Sequence, residues 1–281
     1  MRTRERVWSV IGAAIAVGAF CGAQAAVSAP VKKPAAAARK LPDWDGLWEL
    51  TGGALFDPEH VKMAPGAAIF GPNEGSYMTD VPYKPEYQKQ YDETVAKAAK
   101  GQVADPVANC MRPHGMPREL GGAPGPVQVI VTPKVTMFIW NYFNAARRIY
   151  TDGRPHPDED HLYASSMGHS IGHWEGDTLV VDTVAMMAGD YDRSGAPHSD
   201  QIHVTERIRL VSPKVLEDQI TMVDPVMLTR PWKITRRYGK YSDAFDRSFI
   251  MGQYCEGGAD VTYVDGGQSI VLPGERLTPK P

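Results

Sequence analysis

Short β-rich stretches follow one another along most of the chain from Val127 onward, and turn signals separate them. Their spacing of about ten residues is typical of antiparallel sandwiches and barrels. The chain's 27 glycines and 23 prolines suit many turns and short strands better than a helical bundle. The pattern therefore predicts a mainly β fold.

Residues 169–183 form the most regular of these stretches, and we interpret them as a hairpin. Glu175-Gly176-Asp177 has the composition of a tight turn, because glycine supplies a positive φ and aspartate closes turns with its side chain. Residues 178–181 are rich in β-branched side chains and suit a buried strand. Glu175 and Asp177 have two interpretations: they satisfy the turn, or they frame a pocket.

The first predicted strand carries a short motif that bears on the type of β fold. Gly46-x-Trp48 resembles the Gly-x-Trp signature of lipocalin-like (calycin) barrels. This resemblance implies a closed barrel in which the tryptophan plugs one end. Together with the strand spacing, it predicts an antiparallel β-barrel with one inserted helix and long loops. The helix is predicted over residues 85–100, because Pro85 suits a first helical turn and Gly101 ends the pattern.

The N-terminus has the pattern of an export signal. A net basic segment precedes an apolar stretch over residues 7–19, which is too short for a comfortable membrane span, and an Ala-x-Ala site follows at Ala25. We predict a signal peptide over residues 1–25 and a periplasmic or secreted bacterial protein without stable membrane insertion after cleavage. An uncleaved membrane anchor is the alternative interpretation.

The mature chain is predicted to hold one globular domain. Residues 26–42 are rich in Pro, Ala and Lys and form a disordered linker. A single barrel domain follows over residues 43–265, with a helical and loop insertion at 52–126, and residues 266–281 form a tail. Cleavage would leave Cys110 and Cys255, which an oxidising compartment favours as a disulfide, with two separate buried thiols as the alternative.

Composition and motifs exclude several classes of function. The net charge is −3, so we expect no nucleic-acid partner. The sequence contains no P-loop, no Gly-x-Ser-x-Gly and no dinucleotide fingerprint, which favours cofactor-free acid–base chemistry or simple binding. Six of the eight histidines lie between residues 156 and 203, but no His-Glu-x-x-His and no cysteine pair at zinc spacing occurs, so no metal site is predicted.

One predicted strand, over residues 202–210, places a carboxylate among apolar side chains. Strict alternation puts Glu206 in the middle of its apolar face. A carboxylate in that position is paired, or its pKa rises and it becomes a candidate acid or base. Both interpretations stay open, and the partners available for an ion pair are Arg147, Arg148 and Arg237.

The predicted catalytic set combines Glu206 as general acid or base, His198 or His203 as its partner, and Arg148 to stabilise developing negative charge. Alternation sends His203 to the face opposite Glu206, so His198, from the preceding loop, is the better geometric partner. The predicted substrate-binding residues are Trp140, Tyr142, Tyr150, His114 and Trp174.

Several stretches together resemble a family of exported bacterial proteins that share this hairpin, over about residues 43–257. The longest is Gly172-x-Trp-Glu-Gly-Asp-Thr-Leu-Val-Val-Asp-Thr183, and the others are Cys110-x-x-Pro-x-Gly-Met-Pro-Arg118, Arg147-Arg-Ile-Tyr-Thr-Asp-Gly-Arg154, Pro197-His-Ser-Asp200, His203-Val-Thr-Glu-Arg207, Asp224-Pro225 with Pro231-Trp232, and Tyr254-Cys-Glu256. The resemblance implies no mechanism. It implies that the following residues recur: Arg148, Tyr150, Asp152, Glu175, Asp177, His198, His203, Glu206 and Arg207.

These observations predict an exported enzyme that acts on a small apolar or aromatic molecule by cofactor-free acid–base chemistry, of lyase, dehydratase or isomerase type. The alternatives are a non-catalytic binding or carrier protein for a hydrophobic small molecule, because barrels of this kind are good containers, and a structural envelope protein. The sequence does not predict the oligomeric state.

Overall fold

The computed structural model describes residues 41–52, 61–63, 76–98, 100, 115–122, 126–141, 145–192, 194–241, 260–264 and 267–271. These ranges contain two helices, α1 (Pro85–Ala98) and α2 (Arg118–Gly122). The strands are β1 (Gly46–Thr51), β2 (Val61–Met63), β3 (Ser76–Met78), β4 (Val127–Val131), β5 (Val135–Trp140), β6 (Ala146–Tyr150), β7 (His169–Glu175), β8 (Thr178–Val184), β9 (Gly189–Asp190), β10 (Pro197–His198), β11 (His203–Ser212), β12 (Val215–Val223), β13 (Trp232–Lys240), β14 (Asp260–Val264) and β15 (Gly267–Val271).

Nine of the strands close a barrel in the order β1-β13-β12-β11-β8-β7-β6-β5-β4, with β4 paired back to β1. The prediction of a mainly β barrel is confirmed. Neighbouring strands are antiparallel except β6 and β7, which run parallel. The barrel is therefore mixed. The reason is that the long connection over residues 151–168 lets the chain re-enter the sheet in the direction of β6 instead of turning back beside it.

The core follows from strict alternation along the barrel strands. Inward-facing side chains are buried and mostly apolar, among them Trp48, Val129, Ile149, Leu179, Val181, Val204, Ile208, Leu216, Ile220 and Trp232. Burying a side chain of this size stabilises the fold by about 1.5–3 kcal/mol. Four ionisable side chains of the described barrel strands share the interior: Arg147, Glu206, Asp218 and Arg236.

The one predicted helix is confirmed as α1, whose buried residue is Tyr91. The Tyr91 hydroxyl lies 2.8 Å from the Ser194 hydroxyl and accepts a hydrogen bond from the backbone of Met78. Tyr83, just before the helix, donates to the Pro197 carbonyl at 2.6 Å. These contacts tie α1 to the loop between β8 and β11. The second helix, α2, was not predicted, because five residues are too few to show an amphipathic pattern.

The predicted hairpin is confirmed as β7 and β8, with Glu175 opposite Thr178 and Gly176 at φ +57° in the turn. The barrel strands lie between Gly46 and Lys240, within the predicted domain over residues 43–265, while β15 lies in the predicted tail. The signal peptide, the linker up to residue 40, Cys110, Cys255, His114 and Tyr142 lie outside the described residues. No helix of the described part is long and apolar enough to span a membrane.

Candidate functional site

The outer face of β7, β8 and β11 gathers three ionisable side chains. Because alternation sends Ser170, Thr183 and Val204 inward, the neighbouring His169, Asp182 and His203 point outward. Ile171 of β7 and Thr205 of β11 both lie opposite Asp182 of β8. His169 and His203 each precede one of these partners by two residues, so they lie on the two strands that flank Asp182. The backbones of β7 and β11 are about 10 Å apart, because two strand spacings separate them.

The connection between β6 and β7 adds a fourth group to this face. His156 Nδ1 lies 2.8 Å from His169 Nδ1, and His156 Nε2 lies 3.4 Å from Asp182 Oδ2. Asp182 Oδ1 is hydrogen-bonded to His203 Nε2. The four side chains thus form one continuous row of contacts, His169–His156–Asp182–His203, which we call the histidine chain.

Aromatic and cationic groups border the His169 end of the histidine chain. The Tyr150 ring stacks on the His169 ring, with centroids 5.5 Å apart and planes 25° apart. The Arg154 guanidinium lies 4.1 Å from the Tyr150 ring centroid. Asp152 holds Arg154 through its Nε at 2.9 Å and its Nη2 at 2.6 Å. These contacts limit the orientations open to His169.

The two terminal histidines have opposite electrostatic environments. Partial burial, His156 and the charge of Arg154 lower the pKa of His169 below its usual value of 6.5. The hydrogen bond to Asp182 raises the pKa of His203 above that value. The same bond lowers the pKa of Asp182, so this carboxylate is ionised at neutral pH. At any given pH, His203 therefore keeps its proton more readily than His169 does.

One arrangement of protons satisfies all contacts of the chain. His169 Nδ1–H donates to His156 Nδ1, His156 Nε2–H donates to Asp182, and His203 Nε2–H donates to the other oxygen of Asp182. His169 Nε2 then carries a lone pair, and His203 Nδ1 carries a proton whenever this imidazole is in its cationic form, which Asp182 favours. Neither atom is hydrogen-bonded to a residue that the structure describes, and the His203 side chain is 43% exposed.

The segment before β7 is fixed against the segment after β8. Ser165 donates to the Ala185 carbonyl at 3.0 Å and accepts from the Met187 backbone at 3.0 Å. Gly168 (φ +64°) and Ala185 (φ +56°) have left-handed backbone conformations at these contacts. Glycine adopts this conformation without strain, whereas Ala185 does so at a cost, and strained non-glycine residues are frequent beside functional sites. Here these contacts fix the entry into β7 directly before His169.

A second polar cluster lies inside the barrel. Arg147 forms a two-point ion pair with Glu206, with Nη1 2.9 Å from Oε1 and Nη2 on Oε2. Its remaining donors reach Ser170 Oγ at 3.1 Å and Thr183 Oγ1 at 2.7 Å. The two charged side chains are 1% and 0% exposed. Of the three arginines considered for an ion pair with Glu206, the partner is Arg147.

Asp218 lies beside this ion pair, opposite Arg236 in the β12–β13 register. It is 1% exposed, and neither of its oxygens accepts a hydrogen bond from a described residue. Burial raises the pKa of Asp218 well above its usual range, and the neighbouring Glu206 raises it further. Asp218 is therefore a buried carboxyl group that favours its protonated form.

The four predicted catalytic residues lie in three different places. Glu206 is inside the barrel, His203 and Arg148 are on its outer side, and His198 is buried in the loop between β8 and β11. The separation of Glu206 from His203 is the one that strand alternation predicts. His198 donates through Nδ1 to the Ser199 carbonyl at 3.0 Å and packs on Tyr191. A catalytic role for Glu206 stays a prediction.

The predicted substrate-binding residues are likewise separated. Tyr150 borders the histidine chain. Trp140 is buried and stacks on Phe138 at 5.9 Å between ring centroids, and Trp174 packs on Trp44 at 4.9 Å. His114 and Tyr142, as stated above, lie outside the described residues.

Sequence reasoning did not assign His156, His169, Asp182 or Asp218 to a site. The alternation that identified Glu206 also places Asp218 between Leu216 and Ile220 on the inward face of β12, so this signal was available. The histidine chain had no equivalent signal. It depends on which strands are neighbours and on where residues 151–168 return.

No three or more His, Cys, Asp or Glu side chains of the described part are grouped so that they could hold one metal ion. In the histidine chain, His156 contacts its two neighbours through different ring nitrogens, so the groups do not converge on one point. No family model, no curated protein and no solved structure matches this chain.

Proposed function

We propose that the protein is a small-molecule enzyme that works by cofactor-free acid–base chemistry at the histidine chain. The observation that carries this proposal is the continuous row His169–His156–Asp182–His203, which ends at both sides in a ring nitrogen without a partner among the described residues. Titratable neighbours whose pKa values are moved in opposite directions are the usual arrangement of a general acid and a general base.

His169 is the general base in this proposal, and His203 is the general acid. His169 Nε2 removes a proton from carbon, and the C–H electron pair forms a double bond. The leaving oxygen departs with the proton of His203 Nδ1, as water in a dehydration. Asp182 and His156 act as positioning residues, because each fixes the ring and tautomer of its neighbour. Tyr150 supplies an aromatic wall for an apolar or aromatic substrate.

The proposal predicts a bell-shaped pH dependence. The base is active when His169 is neutral, so activity rises with pH through a value below 6.5. The acid is active while His203 is protonated, so activity falls through a value above 6.5. Asp182→Asn removes the main cause of the raised His203 pKa, and we expect the falling limb to move to lower pH.

A neutral aromatic probe tests this chemistry before the natural substrate is known. Nitrobenzisoxazole loses its ring C–H proton to a base while its N–O bond breaks, and the phenolate product is read by absorbance. We expect His169→Gln to lower kcat/KM by about 10²–10⁴-fold, the usual contribution of a positioned base. The matched control is His173→Gln, because His173 is on the same strand, outside the chain and 66% exposed. Equal rates for wild type and His169→Gln would refute the proposal.

The second candidate function is a non-catalytic binder or carrier of a hydrophobic small molecule. The observation that favours it is the internal pairing of the barrel's Arg147–Glu206 charges next to the buried aromatic side chains Phe138 and Trp140. Native mass spectrometry of protein purified from its own compartment separates the two functions. A stoichiometric apolar ligand, together with wild-type nitrobenzisoxazole activity no higher than that of His169→Gln, would favour the carrier.

We further propose that the mature chain works outside the cytoplasm, as a periplasmic or secreted protein. This proposal rests on the basic and apolar segments of the N-terminal sequence and on the Ala-x-Ala site. A disulfide between Cys110 and Cys255 would suit that compartment and stays a prediction. Mass spectrometry of the exported protein tests both, through its N-terminal residue and through the mass change on reduction.

A further inference from the structure

We infer that the substrate of the histidine chain is a small organic carboxylate, and that Arg154 binds its carboxylate group beside His169. The inference rests on the proposed acid–base function and names its substrate class. Arg154 was not among the site residues predicted from the sequence. Its position follows from the Asp152-Gly153 turn after β6, which returns the side chain over Tyr150.

Contacts on the outer face of the barrel fix the orientation of the Arg154 guanidinium and leave some of its donors for a ligand. Asp152 occupies the Nε and Nη2 groups, and the Tyr150 ring lies against the guanidinium plane at 4.1 Å. Nη1 makes no hydrogen bond within the described ranges, and the side chain is 48% exposed. A fixed, partly exposed guanidinium with donors left over binds a planar carboxylate at low entropic cost.

Arg154 also lies near the reacting end of the histidine chain. Its charge is one of the causes that lower the pKa of His169. Tyr150 connects the two groups physically, because its ring contacts both the guanidinium and the His169 imidazole. A carboxylate on Arg154 would therefore place the body of a small aromatic or apolar molecule within reach of His169.

Acidic groups in the same connection do not remove this preference for an anion. Asp152 uses only Nε and Nη2 of Arg154 and leaves Nη1 for a ligand, and Asp158 is hydrogen-bonded to His161 at 2.5 Å. Glu159 and Asp160 are exposed, where water and salt screen their charge. Arg148 adds a second exposed cation two residues before Tyr150 on the outer side of β6.

The test compares phenylacetate with phenylacetamide, which has the same aromatic body without the charge. Both are titrated into the full-length mature protein while the imidazole signals of His169 and His173 are followed by NMR. We expect phenylacetate to shift the His169 signal and to bind about tenfold or more tightly than the amide. Arg154→Gln should abolish this difference, and Arg154→Lys should keep part of it, because the charge remains without the planar fork.

Arg230→Gln is the matched control, because Arg230 is exposed in the β12–β13 connection, outside the histidine chain. It should leave both affinities unchanged. Equal affinity of the two compounds, no binding of either, or an unchanged preference in Arg154→Gln would each overturn the inference.

Nitrobenzisoxazole is uncharged, so its turnover does not depend on a carboxylate. Carboxylate binding without a His169-dependent rate would therefore refute the proposed function alone.

Discussion

His169 and His203 illustrate how identical side chains become chemically different on one sheet. Both point outward from neighbouring parts of the barrel wall, but His169 meets another imidazole and a nearby arginine, whereas His203 meets a carboxylate. The first environment disfavours the charged form and the second favours it. Residue type and strand alternation place both histidines on the surface, but only their neighbours assign them opposite roles.

Glu206 and Arg147 show the cost of removing one partner from a buried ion pair. We expect Glu206→Gln to lower the free energy of unfolding by about 3–5 kcal/mol, because it removes the carboxylate that is hydrogen-bonded to the buried Arg147 guanidinium at two points. Urea unfolding measures the change. Glu175→Gln is the control, because Glu175 pairs with Arg207 at the exposed outer surface and its loss should change stability little. A nearly unchanged Glu206→Gln variant would contradict this prediction.

Asp218 should make stability depend on pH in the opposite sense to an ordinary carboxylate. Its folded-state pKa is raised by burial and by Glu206, against the partial compensation of Arg147 and Arg236, and Tyr238 is the other titratable group beside it. The folded state therefore binds this proton more tightly than the unfolded chain. The contribution of Asp218 to stability is therefore fully present below its unfolded-state pKa of about 3.9, and it is lost as the pH rises toward the folded-state pKa.

The variant Asp218→Asn removes this titration and keeps the shape of the side chain. We expect it to match the wild type in acid and to be more stable than the wild type at neutral and alkaline pH. Urea midpoints measured across this pH range give the comparison. If the difference between the two proteins were independent of pH, Asp218 would not be the buried, protonated group described above.

At the scale of elements, Gly176 in the β7–β8 turn and Gly168 directly before β7 allow the cost of a left-handed backbone to be measured apart from the cost of crowding. Gly176 and Gly168 have similar positive φ values, but a Cβ at Gly176 would meet nothing within 4 Å, whereas a Cβ at Gly168 would lie 2.7 Å from the Val184 carbonyl oxygen. Gly176→Ala should cost about 1–2 kcal/mol from the left-handed backbone alone.

Gly168→Ala should cost a further ~1–3 kcal/mol, because the Val184 backbone has to move. It should also lower nitrobenzisoxazole turnover, since Gly168 directly precedes His169, whereas Gly176→Ala should retain that activity. Denaturant unfolding and kinetics on the two purified variants check both parts. Equal stability losses would show that crowding at Gly168 is relieved without cost.

Sequence patterns predicted most strands of the barrel, because alternation, β-branched residues and turn residues within each segment determine a strand. The hairpin predicted over residues 169–183 agrees with β7 and β8, and alternation assigned Glu206 to the inner face and His203 to the outer one. The parallel pairing of β6 with β7 was not predicted. Residues 151–168 carry no strand pattern, so local chemistry does not determine the direction in which the chain re-enters the sheet.

At the scale of the whole molecule, the pairing of strands that are distant in sequence creates both polar clusters. The interior cluster draws Arg147, Glu206 and Asp218 from β6, β11 and β12, and the histidine chain draws on β7, β8, β11 and a long connection. Such groups become neighbours only after distant strands have paired. This explains why single residues such as His203 and Tyr150 could be selected from the sequence while their partners could not.

The most direct test of the histidine chain is an NMR titration that follows each imidazole of the wild type and of Asp182→Asn. We expect His169 to titrate below pH 6.5 and His203 above it in the wild type. In Asp182→Asn, the His203 midpoint should fall, because the carboxylate that stabilises its charge is gone. If His169 and His203 titrated together in the wild type, or if His203 were unchanged in Asp182→Asn, the histidine chain would not hold a separate acid and base.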